Sequence, residues 1–145
     1  MQPRRLPVPH LVWMIAAMAP YLWIAIGSAL GGMGRYWTGL AVTRLLPVPF
    51  PWGTLLINVL GSFVIGLFAS LTDADGRYPV GVTLRLFVMV GLCGGYTTFS
   101  SFSLQTLTLM QDNRMLEAGL NVLGSVVLCL VAVWLGSLLG MMGQR

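Results

Sequence analysis

The chain has 145 residues, 57% of them hydrophobic and only 8% charged, with a mean hydropathy of +0.84; soluble domains carry about a quarter charged residues, so a soluble enzyme is excluded and an integral membrane protein remains. The net charge of +4 comes from eight arginines and no lysine, scattered rather than gathered into a basic stripe, which excludes a nucleic-acid site. Cys93 and Cys129 both fall in apolar segments, where cysteine is a small buried hydrophobe, and they argue for neither a disulfide nor a metal site.

Arg4 and Arg5 precede an apolar stretch ending in Ala17-Met18-Ala19, superficially the layout of a signal peptide. Pro3, Pro7, Pro9 and Pro20 punctuate it, so residues 1–20 are read as an N-terminal extension and residues 21–145 as the membrane domain. His10, the single histidine, stands in that extension with no acidic or cysteine partner nearby. A metal or general-base role there lacks the convergent groups such sites need.

A membrane-spanning helix needs roughly 20 apolar residues, and four such segments are expected, over residues 21–46, 51–71, 80–110 and 115–142. The fold class is an all-α membrane protein of four helices. Arg35 is the one charge deep in the first span, within Gly31-Gly32-Met33-Gly34-Arg35-Tyr36-Trp37. It either snorkels beside the aromatic pair or stands as a vestibule charge that concentrates anions. Gly27 and Gly31, Gly91 and Gly95, and Gly136 and Gly140 each lie four apart, a spacing that brings helices close within a monomer or between subunits.

In the second span Thr54, Asn58 and Ser62 recur at i, i+4 and i+8, which aligns them on one helix face. Asn58 alone reads as interhelical glue, and the aligned Thr54 and Ser62 bring an amide donating into a pore level with that reading. The third span carries Gly91-Leu92-Cys93-Gly94-Gly95-Tyr96-Thr97-Thr98-Phe99-Ser100-Ser101-Phe102-Ser103, helix breakers and hydroxyls inside an apolar stretch. Irregular backbone at membrane depth is tolerated only where it is buried in protein or lines an aqueous cavity. Gly94 and Gly95 are expected to end one half-helix, and Thr97 or Thr98 to cap the next. Carbonyls at the first end attract a cation, while N–H groups at the second favour an anion. Phe99 and Phe102 share a face; as core residues they only pack, but on a pore wall their electropositive ring edges suit an anion. Asn121, Ser125 and Cys129 share a face of the last span.

No aspartate or glutamate lies deep inside a span: Asp73 and Asp75 fall in the second connection, and Asp112 and Glu117 flank the third, Glu117 in the first turn of the last span. A small four-helix multidrug exporter coupled to protons needs such a carboxylate, so that alternative is weakened. No nucleophile, base and orienter can be assembled, and the chain reads as a non-enzyme. With four spans, Arg4, Arg5, Arg77 and Arg145 lie on the side of the termini, Arg85 near that boundary, and Arg44 and Arg114 opposite. So weak a bias is consistent with insertion in both orientations, and homodimerisation is the natural way for so small a bundle to enclose a polar path.

Three strings occur in order: Gly31-Gly32-Met33-Gly34-Arg35-Tyr36, Pro51-Trp52-Gly53-Thr54-Leu55-Leu56-Ile57-Asn58, and Gly94-Gly95-Tyr96-Thr97-Thr98-Phe99-Ser100-Ser101-Phe102-Ser103. From about residue 21 onward the chain closely resembles the Fluc (CrcB) family of fluoride channels. The resemblance implies an antiparallel, dual-topology homodimer in a prokaryotic cytoplasmic (inner) membrane, with two fluoride pores and a structural sodium ion where the broken helices cross. It implies that Asn58 donates to fluoride, that Phe99 and Phe102 line the pores, and that backbone carbonyls of Gly94 and Thr97 from both subunits ligate sodium. Arg35 matches the family's vestibule arginine and Ser125 a hydroxyl on the last helix, and Thr54 joins the pore face. Cys129 and Val133 stand where family members can carry further hydroxyls, and Asn121 where an aromatic hydroxyl can occur.

Overall fold

The computed structural model describes residues 10–46 and 48–142, with side chains from Met18 onward; Arg4, Arg5, Arg145 and the side chain of His10 lie outside the described residues. The described chain is all-helical. Helix α1 runs His10–Leu45, α2 Trp52–Thr72, α3 Val82–Gln111 with an interruption, and α4 Met115–Met142. Among the described residues α2, α3 and α4 are each long and apolar enough to cross a membrane.

Helix α1 begins eleven residues before the expected start at Tyr21 and keeps Pro20 in its interior. A proline removes one i−4 hydrogen bond but need not stop a helix in a membrane. The first half of α3 is α-helical over Val82–Arg85, π-helical over Leu86–Cys93, and α-helical again over Gly94–Tyr96. Such wide turns are rare and occur mostly at functional sites. Here they lead directly into the break.

Two glycine seams hold the bundle, and both lie within one chain. Helix α1 lies against the first half of α3, and α2 against α4. A Cβ placed on Gly27 would stand 2.5 Å from the Phe87 carbonyl oxygen, and one on Gly95 2.6 Å from that of Ser28. On the other seam, a Cβ on Gly136 would collide with the Phe63 carbonyl oxygen and one on Gly140 with the Ser70 hydroxyl. Small residues let the helices approach until backbone meets backbone, where van der Waals packing replaces the hydrophobic effect that lipid cannot supply. The glycine pairs, open from sequence to either use, therefore pack α1 on α3 and α2 on α4 within the monomer.

This arrangement predicts that Gly136→Ala lowers the thermal unfolding midpoint of the detergent-solubilised protein, since overpacking against immovable backbone costs about 1–3 kcal/mol. Gly119→Ala, at a position with nothing within 4 Å of the added atom, leaves the midpoint unchanged. Equal midpoints for the two variants would refute the seam.

Candidate functional site

The break falls at Thr97 and Thr98, two residues after the glycines expected to make it. Gly94 and Gly95 are helical, and the first half ends at Tyr96. Thr97 (φ −81°, ψ 161°) and Thr98 (φ −152°, ψ 118°) are extended, and the second half of α3 starts at Phe99. The glycines are needed for approach to α1 instead of for the turn. What opens the chain is side-chain capture of its backbone. The Asn58 amide donates to the Thr98 carbonyl (3.0 Å) and accepts from the Thr98 N–H (2.8 Å), a two-point clamp between residues forty apart.

That clamp redirects the helical ladder. The Thr98 N–H would have bonded the Gly94 carbonyl four residues back, and it is spent on Asn58 instead. The Thr98 hydroxyl caps the second half by accepting from the Ser101 N–H at 3.2 Å, so of the two threonines considered for the cap it is Thr98 that serves. The Thr97 hydroxyl turns back to the Cys93 carbonyl (2.9 Å). Its carbonyl accepts from Arg35 Nη1 at 3.3 Å.

A cleft of about 430 Å³ lies beside the break, partly open to the surface. Asn58 and Ser62 of α2, Gly94, Thr97, Thr98, Phe99 and Phe102 of α3, and Ser125 and Cys129 of α4 all line it. No charged side chain does. Ser125 carries the most informative atom. Serines and threonines inside membrane helices usually bond the carbonyl four residues back, as Ser103 and Thr106 do here. The buried Ser125 hydroxyl has no such partner. Asn58 likewise uses one of its two N–H bonds on Thr98 and keeps the other. Phe99 and Phe102 meet at 5.3 Å between centroids, tilted by 49°. Phe102 is buried at 8% exposure while Phe99 stands 77% exposed.

Thr54, one turn from Asn58, does not reach this cleft. It lines a second cavity of about 180 Å³ with Ile57 and Gln105. Gln105 lies one turn beyond Phe102, and its buried side-chain oxygen has no hydrogen-bond partner. Sequence reasoning passed over it; a lone amide three residues from Phe102 in an apolar helix was the available signal. The two cavities thus occupy successive turns of α2 and of the second half of α3, and Phe102 lines the first of them. Asn121, at 1% exposure, lies outside both: its amide donates to Thr106 Oγ1 at 2.8 Å and staples α4 to α3.

Arg35 sits on the α1 face formed by Gly31, Arg35 and Thr38, spaced i, i+4, i+7. Gly31 allows contact with the chain at Leu92 and Tyr96. Thr38 Oγ1 and the Tyr96 hydroxyl are 3.1 Å apart. Among the described residues the Arg35 guanidinium makes no ion pair; it is turned to the carbonyl end of the first half-helix, where the macrodipole is negative. Arg85 and Arg114 behave as boundary anchors. Arg85 Nη1 lies 3.5 Å from Asp73 Oδ1, and Arg114 pairs with Glu117 while also donating to the Pro49 carbonyl at 3.2 Å. The carboxylate holds the Arg114 guanidinium above its ordinary pKa.

The profile of the family described as CrcB-like protein, Camphor Resistance (CrcB), matches residues 22–137. A protein of Methylocella silvestris named fluoride-specific ion channel FluC is 64% identical over 116 residues, covering 80% of this chain and 88% of that one. Its namesake in Paramagnetospirillum magneticum is 60% identical over 119 residues, 82% of this chain and 93% of that one. That of Opitutus terrae is 59% identical over 119 residues, 82% and 90% respectively. The match spans α2 and α3 entire and nearly all of α4, and with them the break, its clamp and both cavities; the chain belongs to the CrcB family.

Proposed function

We propose that this chain is a subunit of a fluoride-selective passive channel, and not an enzyme, in a bacterial inner membrane. The unspent Ser125 hydroxyl carries this reading, because Ser125 lines the same cleft as Asn58, Phe99 and Phe102. Fluoride holds its water tightly, so a conducting path must replace hydration with donors while binding loosely enough to release the ion. Neutral hydroxyl and amide donors with aromatic edges meet both demands. Fluoride moves from this cleft past Phe102 toward the cavity lined by Thr54 and Gln105. A cell loses fluoride this way because the ion enters as neutral acid and dissociates at the higher internal pH.

The functional unit is an antiparallel homodimer with two pores. The cleft is open on one side, and Phe99 stands bare at the very break that organises it, which suits closure by a second copy. Sodium at the crossing of the two breaks is held by the carbonyls of Gly94 and Thr97. The redirected ladder supports this assignment: both oxygens lie outside the helical hydrogen bonding, and hard carbonyl donors suit a hard cation. Bound there, sodium neutralises carbonyl ends that face one another.

The purified protein in liposomes is expected to release fluoride rapidly and to retain chloride. Ser125→Ala slows fluoride release about tenfold, the effect of about 1.4 kcal/mol on the barrier, without changing the thermal unfolding midpoint. Equal release of chloride and fluoride, or release of neither, sinks the channel.

A further inference from the structure

Arg35 occupies the oxygen that the sodium reading needs. Its guanidinium donates to the Thr97 carbonyl, which is one of the two oxygens assigned above to the central cation. Gly31 and Thr38, on the same face of α1, meet the same half-helix end through the Tyr96 backbone and hydroxyl. Arg35 is therefore held in place by a built seat and is not a loose surface side chain.

We propose that Arg35 is a positioning residue that acts as a tethered cation at the break, holding the Thr97 carbonyl when sodium is absent and competing with sodium for it. This rests on the sodium reading. The end of the first half-helix carries partial negative charge from carbonyls left without N–H partners. Sodium and a guanidinium can each neutralise it. They cannot both approach one carbonyl without repulsion, which in a site of low dielectric is several times stronger than in water. Sodium binding then requires the guanidinium to withdraw from Thr97, and the charge of Arg35 lowers the affinity of the site. With Arg35 present the break keeps a counter-charge at every sodium concentration. Without it, the break depends on sodium.

The charge is separable from the hydrogen bond. Arg35→Gln keeps a donor and removes the charge, whereas Arg35→Lys keeps the charge. Thermal unfolding midpoints of the full chain in detergent are to be measured while sodium replaces N-methylglucamine at constant ionic strength. Arg35→Gln is expected to have the lower midpoint in the absence of sodium and the larger rise on adding it. Its half-saturating sodium concentration should be about tenfold below that of the unaltered protein, corresponding to about 1.4 kcal/mol. Arg35→Lys should stay close to the unaltered value. A residue that merely packs or hydrogen-bonds would lower the midpoint without moving the sodium concentration at half effect.

Equal half-saturating concentrations in all three proteins overturn the proposal, as does the absence of any sodium response. Arg35→Gln that fails to fold even in saturating sodium also overturns it, because sodium is then unable to replace the charge. Folding of that variant in sodium alone supports it. Fluoride release by the unaltered protein is measured in parallel. Its absence refutes the channel itself, independently of the sodium titration.

Discussion

Replacing Asn58 by leucine is expected to abolish fluoride release and to destabilise the fold at once. Leucine has the same heavy-atom branching as asparagine but neither donates nor accepts. The Thr98 N–H and carbonyl, which the amide holds at 2.8 and 3.0 Å, are then left unpaired inside the bundle. Each buried group so orphaned costs about 1–3 kcal/mol, and in hydrocarbon surroundings more. The cheapest relaxation is for the Thr98 N–H to return to the Gly94 carbonyl, which closes the helix. Closure removes the Thr98 cap and rotates Phe99 and Phe102 away from their present face, and the substitution itself deletes the second amide N–H from the cleft. Fluoride release should fall by at least about 100-fold, the factor that about 2.7 kcal/mol of added barrier produces. The comparison with Ser125→Ala is decisive, because that change removes a donor and leaves the break intact. If Asn58→Leu and Ser125→Ala slow release equally while both keep the unaltered midpoint, Asn58 is a pore donor only and the clamp is not what opens α3.

Much of this was legible in the chain, because hydropathy and polar periodicity report directly on which residues a membrane helix can expose. The segments at 51–71 and 115–142 coincide with α2 and α4 to within a residue, and the interruption of the third helix was readable from its glycines and hydroxyls together. The location of the break was not. Glycine signals both chain reversal and close approach, and only the position of α1 decides between them: Gly95 meets Ser28, so it packs, and the turn passes to Thr97 and Thr98. Even then the cause lies forty residues away in Asn58, a contact that no local rule contains. The π-helical turns over Leu86–Cys93 left no mark in a stretch that is simply apolar. Thr54, Asn58 and Ser62 do share a face of α2, but a straight helix meets different neighbours along its length. The stripe is therefore divided between two cavities. Gln105 escaped notice because its significance depends on burial without a partner, a property of the folded bundle alone.

Gly61 has a decisive role although, lacking a side chain, it offers nothing to attract notice. It lies on α2 three residues beyond Asn58, and a Cβ placed there would collide with Cγ2 of Thr97. A methyl collision is ordinarily relieved by a rotamer change. Here it is not, because a β-branched side chain is stiff at χ1 and the Thr97 hydroxyl is tied to the Cys93 carbonyl at 2.9 Å. Nor can the backbone retreat freely, with the Thr97 carbonyl on Arg35 and the next residue clamped by Asn58. Gly61→Ala therefore strains the break itself, at about 1–3 kcal/mol for an overpacked site. If the strain falls on the clamp, fluoride release drops at least about tenfold, since about 1.4 kcal/mol suffices for that factor. The remedy is specific. Thr97→Ser deletes Cγ2 and retains the hydroxyl that bonds Cys93, so the double variant Gly61→Ala/Thr97→Ser should recover most of the release that Gly61→Ala loses. Thr97→Val, which keeps the bulk and deletes the hydroxyl, should not. Were serine and valine to rescue equally, or neither, the collision at Cγ2 would not be the cause, and the contact between α2 and the break would have to be assigned to another pair of atoms.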